Sequence, residues 1–417
     1  MLKISPLPHQ QSMIEFGKRE KFFLNRSPMG LGKTFATLAT LLPECFFIVI
    51  VCPAYLVPNW IREIRKFTWA RPIVHTQIES WGFGGILVVS YERFVKLENK
   101  LLKKTQAIVI DESHYLANPK SGRSKRVLNF IKYQGDRLQY MTFLTGTPVK
   151  QRALDLFLTL RILSYFRDHS LYHEYTTSWK FSNDFENCEV KKLRVRGRQI
   201  ETKKFTGVKA EKKTYLRDLL RCWSVKGKLP IDIPLQRQYI HVDVPRYIDV
   251  EISTYFTNPS TPTIKRNSAI SKTDYTIQFA LEYIANYGCV VIFSDYPLVC
   301  EALQAGLQKS GVKAGMIVGD TPTKARDSLI QSFTAGKIDA IIGSIGAMST
   351  GCNLQRANVV LFNDCNYNYV NNIQAEGRVT RIGQDRPCFA VYLVREGIDE
   401  RVTELVTTKK VVVEEMA

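Results

Sequence analysis

Residues 27–42, SPMGLGKTFATLATLL, decide the fold. The residues leading into them, EKFFLNRS at 20–27, are apolar enough for a buried strand. TFATLATLL, which follows, spaces its apolar residues as a helix does. Strand, glycine-rich turn and helix are the context in which a Gly-Lys-Thr string binds phosphate. Gly30 and Gly32 let the backbone turn tightly, so that its N–H groups face an anion. The start of the helix adds positive partial charge. On this reading Lys33 reaches the β- and γ-phosphates of a nucleotide and Thr34 holds Mg²⁺. The full phosphate-loop pattern opens on a glycine where this chain has Ser27. Such loops serve kinases, GTPases and transporters as well, and a chance turn has the same letters, so the second half of a site has to decide.

The chain has 417 residues, enough for two or three domains. Its apolar and charged fractions, 45% and 23%, are ordinary for a globular protein. Its net charge of +19 is not, and favours a polyanionic partner: nucleic acid first, an anionic membrane second, simple solubility as the alternative. Nine cysteines form no Cys-x-x-Cys pair and no cluster with histidine, which points away from zinc and from a disulfide framework. Reduced thiols fit an intracellular, cytoplasmic protein. The opening MLKISPLPHQQ lacks the apolar core of a signal peptide, and the longest apolar run, CFFIVIVCP, is strand-sized and ends at Pro53. The expectation is a monomer without a membrane span.

Residues 1–165 alternate short apolar runs with amphipathic stretches. FFIVIVCP, GILVVSYERF, QAIVIDESH and YMTFLTGTP each read as a buried strand ending in polar residues. That is the pattern of a doubly wound α/β lobe, in which ligands gather beyond the carboxyl ends of the strands. Residues 166–255 differ. Within them, 190–228 hold 14 basic and 3 acidic residues, over half of the chain's net charge, and such a surplus neutralises phosphates or simply faces water. RVRGRQIE reads as a hairpin around Gly197, with Arg194, Arg196 and Arg198 set to touch DNA, and EKKTYLRDLLRCW reads as a helix. LPIDIPLQRQYIHVDVP, punctuated by proline, reads as a linker. Residues 256–417 return to strand–helix alternation through CVVIFSDY, VKAGMIVGD, IDAIIGSIG, NVVLFND and CFAVYLVREG, a second α/β lobe.

In AIVIDESH a strand ends directly in Asp111 and Glu112. Asp111 is placed to hold Mg²⁺ and Glu112 to orient and deprotonate an attacking water. QAEGRVTRIGQ puts Arg378 and Arg381 three apart on an expected helix, sharing a face, where two guanidinium groups stabilise charge on a transferring phosphoryl. The loop and the arginines fall in different lobes. A site split that way assembles when a cleft closes, which suits a motor.

Read in order, these strings resemble the superfamily 2 helicase-like ATPases, nearest to the Swi/Snf group of double-stranded DNA translocases. LPHQ resembles the Gln motif, MGLGKT motif I, VCPAYLVPNWIREIRKF motif Ia, LVVSYERF motif Ib, DESH motif II and LTGTPVKQRALDLF motif III. In the second lobe VVIFSDY resembles motif IV, SIGAMSTGCNLQRANVVLFND motif V and QAEGRVTRIGQDRP motif VI. The resemblance implies two RecA-like doubly wound parallel-sheet lobes with a basic, partly helical insertion between them, and ATP with Mg²⁺ as cofactors. It gives Gln10 to adenine, and Gly30, Gly32, Lys33 and Thr34 to phosphates and Mg²⁺. Asp111 goes to Mg²⁺ and Glu112 to water. Thr145, Gly146 and Thr147 would couple nucleotide state to DNA. Gly351 and Asn353 would join the lobes, Gln374, Arg378 and Arg381 would complete the ATP site, and Pro53, Ser90 and Tyr91 would track the DNA backbone. Motif V lacks the usual paired glycines, and Gly377 stands where the group commonly has Asp. Residues 205–230 faintly resemble fork-remodelling annealing helicases, and the chain's small size suits a bacterial virus or a mobile element.

The function expected is a DNA-dependent ATPase moving on duplex, forked or branched DNA, together with replication or recombination proteins. A conventional strand-separating helicase on DNA or RNA stands beside it and needs a wedge; an aromatic such as Trp179, Phe181 or Phe185 could act so, although core packing is the favoured reading of all three. A nucleotide-gated scaffold and a motor that displaces proteins from DNA are the other readings.

Overall fold

The computed structural model describes residues 2–28, 30–77, 84–149, 152–195, 198–227, 234–244, 261–348, 352–381 and 383–416. The chain divides into two compact units, residues 1–230 with 411–417, and residues 231–410.

The first unit is built on β1 (Phe22–Asn25), β2 (Phe47–Cys52), β3 (Pro72–Val74), β4 (Gly85–Ser90), β5 (Ala107–Asp111) and β6 (Tyr140–Leu144). A separate hairpin of β7 (Asn187–Val195) and β8 (Arg198–Thr206) follows, and β9 (Ser224–Val225) then rejoins the main sheet. The order is β3-β4-β2-β5-β6-β1-β9, with every pairing parallel. Parallel strands need crossovers, whose helices cover both faces, so the strands are apolar throughout. Alternation sorts the side chains. Val49, Val51, Leu87, Val89, Ile108 and Ile110 pack with Phe130 and Phe143 on one face. Ile48, Ile50, Ile86, Val88 and Val109 pack with Leu38 and Trp60 on the other. The runs read as strands in this lobe all form. β3 and β9, three and two residues long, are too short to show a period.

The hairpin expected around Gly197 forms. β7 and β8 pair antiparallel over nine registered pairs, while residues 196 and 197 at its turn lie outside the described residues. The helix expected after it is Ala210–Trp223.

The second unit carries β10 (Leu235–His241), β11 (Val290–Ser294), β12 (Ala314–Ile317), β13 (Ala340–Ser344), β14 (Val359–Phe362) and β15 (Cys388–Val394). Their order is β10-β15-β14-β11-β13-β12, again all parallel. Here the linker reading is corrected: LQRQYIH at 235–241 is the edge strand β10, in register with β15 over seven pairs. Its side chains are mostly exposed, so its pattern looked like a polar connector. Arg237 on β10 makes two bonds, of 2.8 and 2.7 Å, to the buried carboxylate of Glu376, which also accepts from the Tyr392 hydroxyl at 2.8 Å. Glu376 pairing raises the Arg237 pKa above its ordinary value. Arg237→Ala leaves Glu376 buried and half-paired, and the expected loss of stability, read by urea unfolding, is about 2–3 kcal/mol. An unchanged midpoint would show that β10 is held by its backbone alone. Among the described residues no helix is long and apolar enough to cross a membrane.

Candidate functional site

β1 ends at Asn25 and the next helix begins at Lys33. Between them Gly30 and Gly32 adopt φ of +81° and +71°, the left-handed region. A Cβ on Gly32 would stand 2.2 Å from Nε2 of Gln10, so a side chain there would displace the Gln10 amide in addition to straining φ. Gln10 is buried, and its Oε1 accepts from the backbone N–H of Leu7 at 2.9 Å. This bond caps the helix Pro8–Glu20 and leaves the Gln10 amide against the loop. Lys33 Nζ donates to the carbonyls of Ser27 at 2.8 Å and Pro28 at 3.0 Å. Its ammonium therefore lies within the loop that its own backbone forms. Thr34 is half-buried at the first turn of that helix.

Ser27, the departure from the loop pattern, is fully buried. Its Oγ accepts from the backbone N–H of Gly227 at 2.8 Å. The hydroxyl thus ties the loop to a segment 200 residues on, a role that no local pattern announces.

β5 delivers Asp111 and Glu112 at its carboxyl end. Asp111 accepts from Trp60 Nε1 at 2.8 Å and from the Glu112 backbone N–H at 2.8 Å. Burial pushes the Asp111 carboxyl above the usual carboxylate range, against the pull of those two bonds and of the Lys33 charge. A carboxylate oxygen is a hard donor of the kind that Mg²⁺ takes. Among the described residues no group of three or more His, Cys, Asp or Glu is placed to hold a metal ion.

Glu112 has φ 49° and ψ 52°, a left-handed conformation that costs a non-glycine residue free energy. Its Oε2 lies 3.2 Å from Nδ1 of His114. The same nitrogen is 3.2 Å from Thr145 Oγ1, which accepts from the Thr147 backbone N–H at 3.1 Å. The carboxyl ends of β5 and β6 thus both bring a side-chain oxygen to 3.2 Å from one buried imidazole nitrogen. His114 is the functional residue that the sequence reading passed over. Its signal was its place in DESH, two residues after Glu112.

The candidates for tracking a DNA backbone fare differently. Pro53 is buried ahead of the helix Val57–Phe67. Ser90 caps the helix Tyr91–Lys96 by accepting from the Arg93 N–H at 3.3 Å. Tyr91 is 1% exposed and its hydroxyl donates to the Asp111 carbonyl at 2.9 Å. The Tyr91 ring fills the core and braces the end of β5. Phe181 and Phe185 are likewise core, which removes them as wedges, whereas Trp179 is 59% exposed with Lys203 Nζ 5.4 Å above its ring. Gly146 is half-buried. Arg194 and Arg198 lie on the hairpin strands, and Arg196 lies outside the described residues.

In the second unit the helix Tyr369–Glu376 stops before Gly377, and residues 377–381 form turns and a bend. The expected helical face shared by Arg378 and Arg381 is therefore corrected. Arg378, almost buried, donates from Nε to the Gln374 carbonyl at 2.9 Å and from Nη1 to that of Cys352 at 3.2 Å. These bonds fold the chain back on itself where a helix would have continued. Arg381 is half-exposed and donates to the Gly377 carbonyl at 3.3 Å. Gln384 Nε2 reaches the carbonyls of Gln355, Ala357 and Val379 at 3.0, 2.9 and 3.2 Å, stapling the turns from behind. The Gln374 side chain is buried, Asn353 is exposed, and Gly351 lies outside the described residues.

A family model described as the SNF2-related domain matches residues 27–241, and one described as the helicase conserved C-terminal domain matches residues 271–383. The SWI/SNF-related matrix-associated actin-dependent regulator of chromatin subfamily A-like protein 1 homolog of Caenorhabditis elegans is 26% identical over 426 residues, which cover 93% of this chain and 58% of that protein. The subfamily A-like protein 1 of Xenopus tropicalis is 24% identical, over 94% of this chain and 42% of its own length. The human subfamily A member 1 is 25% identical, over 90% and 40%. The chain thus spans about half the length of these relatives. They are animal proteins and lend no support to a viral source. A solved Sulfolobus solfataricus SWI2/SNF2 ATPase core in complex with dsDNA aligns over all of this chain and 93% of its own at 19% identity, with a TM-score of 0.45, too low to add to the fold argument.

Proposed function

Since the chain belongs to the family of SNF2-related, helicase-like ATPases, we propose that it hydrolyses ATP with Mg²⁺ and couples that hydrolysis to movement on DNA, remodelling forks or migrating branched DNA. The observation that carries the reading is the contiguous set at adjacent strand ends: Lys33 inside its loop, Asp111 and Glu112 after β5, and His114 between Glu112 and Thr145.

The roles proposed combine the resemblance with the positions of these residues. Gly30 and Gly32 aim backbone N–H groups at the phosphates, and Lys33 leaves two carbonyls to meet them. Gln10 stands beside the loop to recognise the base. Mg²⁺, held by Thr34 and Asp111, would draw charge from the β- and γ-phosphates. Glu112 orients the attacking water and takes its proton. His114 relays the position of Glu112 to the turn Thr145, Gly146 and Thr147. Arg381, the more exposed arginine, meets the charge that develops on the γ-phosphoryl. Arg378 and Gln374 hold the turns that carry it. The net charge and the basic hairpin supply phosphate contacts that carry no base information, so DNA shape selects the substrate.

ATP-dependent displacement of a third strand from a triplex tests the motion. The reading expects release from fully duplex DNA, while ATP turnover without release would leave a scaffold. The second reading, a strand-separating helicase, is favoured by the exposed Trp179, and strand release only from a partial duplex would select it. Neutralising Arg194, Arg196 and Arg198 together should make log Kd less dependent on log salt by about 2–3 in slope, because each phosphate contact releases counterions. An unchanged slope would assign that charge to solvation.

A further inference from the structure

The basic hairpin β7–β8 forms a sheet of only two strands. Such a ribbon has little stability of its own, so its direction is set at its base. That base is tied to the ATP site at both ends. Where the chain enters the hairpin, Glu186 is fully buried. It accepts from Arg152 Nε at 3.2 Å, from Arg152 Nη2 at 2.7 Å and from the Leu154 backbone N–H at 2.8 Å. Arg152 follows Thr147 by five residues, and its backbone bridges Gly207, the residue that leaves β8. The legs are also tied to each other, since the Lys209 N–H donates to the Phe185 carbonyl at 2.8 Å. On the exit side β9 pairs with β1, and Gly227 donates to Ser27 in the phosphate loop.

A buried carboxylate is costly to desolvate, and apolar side chains would hold a surface excursion without that cost. What three directed bonds add is a defined orientation. We propose that Glu186 is a positioning residue: through Arg152 it holds the basic hairpin in register with the Thr145–Thr147 turn, so that the nucleotide state sensed by Glu112 and His114 sets how the hairpin meets DNA phosphates. The inference rests on the DNA-motor reading above.

Glu186→Gln keeps the shape and the bond to Leu154 while removing the charge. Three quantities are measured: ATPase rate without DNA, maximal rate with duplex DNA, and the DNA concentration at half-stimulation. The expected result is a fall of about 10-fold in maximal stimulation, with the basal rate and the half-saturating DNA concentration within about twofold of wild type. A residue that only supports the fold would lower basal and stimulated rates together, and that outcome overturns the proposal. Arg152→Lys, which keeps the charge and loses the planar fork, is the second variant should Glu186→Gln not fold. It should reduce stimulation in the same selective way, and full stimulation in whichever variants fold overturns the proposal. If wild type itself shows no stimulation, the motor reading falls with it, whereas stimulated wild type beside unaltered variants refutes the positioning role alone.

Discussion

Glu112→Gln should lower kcat for ATP hydrolysis by about 10²–10⁴-fold, the usual worth of a positioned general base. Nucleotide should still bind, because the loop, Lys33 and Asp111 are untouched. The amide is nearly isosteric with the carboxylate and keeps an oxygen that can accept from His114, 3.2 Å from Oε2 in the native protein. The left-handed backbone at residue 112 is also retained, so the substitution isolates the proton transfer from the geometry. Single-turnover hydrolysis beside nucleotide binding by fluorescence separates the two. Loss of binding in parallel with loss of hydrolysis would mean that Glu112 is a ligand-positioning group instead of the base.

Lys33→Ala should be comparably severe and differ in kind. Its ammonium is the positive charge nearest the loop's own carbonyls and exerts its pull on Asp111. Removing it deprives bound phosphates of a fixed cation in a site where water does not substitute for it, and kcat should fall by about 10²–10³-fold. ATP affinity should weaken as well, since Lys33 interacts with the phosphates before and during transfer. Steady-state ATPase with titrated ATP gives both parameters, and thermal unfolding controls for the fold. A variant with normal turnover would remove the phosphate-loop reading.

What could be read in advance followed from range. Elements specified by local spacing were legible: the apolar runs of β2, β4, β5 and β6, the hairpin around Gly197, and the loop with Gly30, Gly32 and Lys33. What depended on distant partners was not. The resemblance of MGLGKT to motif I accounted for Ser27 as a letter, but the bond its hydroxyl accepts from Gly227 is visible only in the fold. β10 looked like a linker because an edge strand exposes most of its side chains, and its partner β15 lies about 150 residues later. The hydrogen bond from the Tyr91 hydroxyl to the Asp111 carbonyl, 20 residues on, is another contact that no local pattern announces. Helical spacing for Arg378 and Arg381 assumed that the helix continued, but side-chain bonds from Arg378 to backbone carbonyls hold the chain in turns. His114 had no period and no spacing to mark it, only its neighbours in space.

DNA should control ATP turnover at the site built on Lys33, Asp111 and Glu112. Steady-state ATPase rates, measured without DNA and with single strand, duplex, fork and four-way junction beside Lys33→Ala, test it most directly. Wild type should turn over slowly alone and be strongly stimulated by DNA, most by fork or junction, with no stimulation in Lys33→Ala. Greatest stimulation by single strand would favour a conventional helicase. A rate indifferent to all four DNAs would contradict the account.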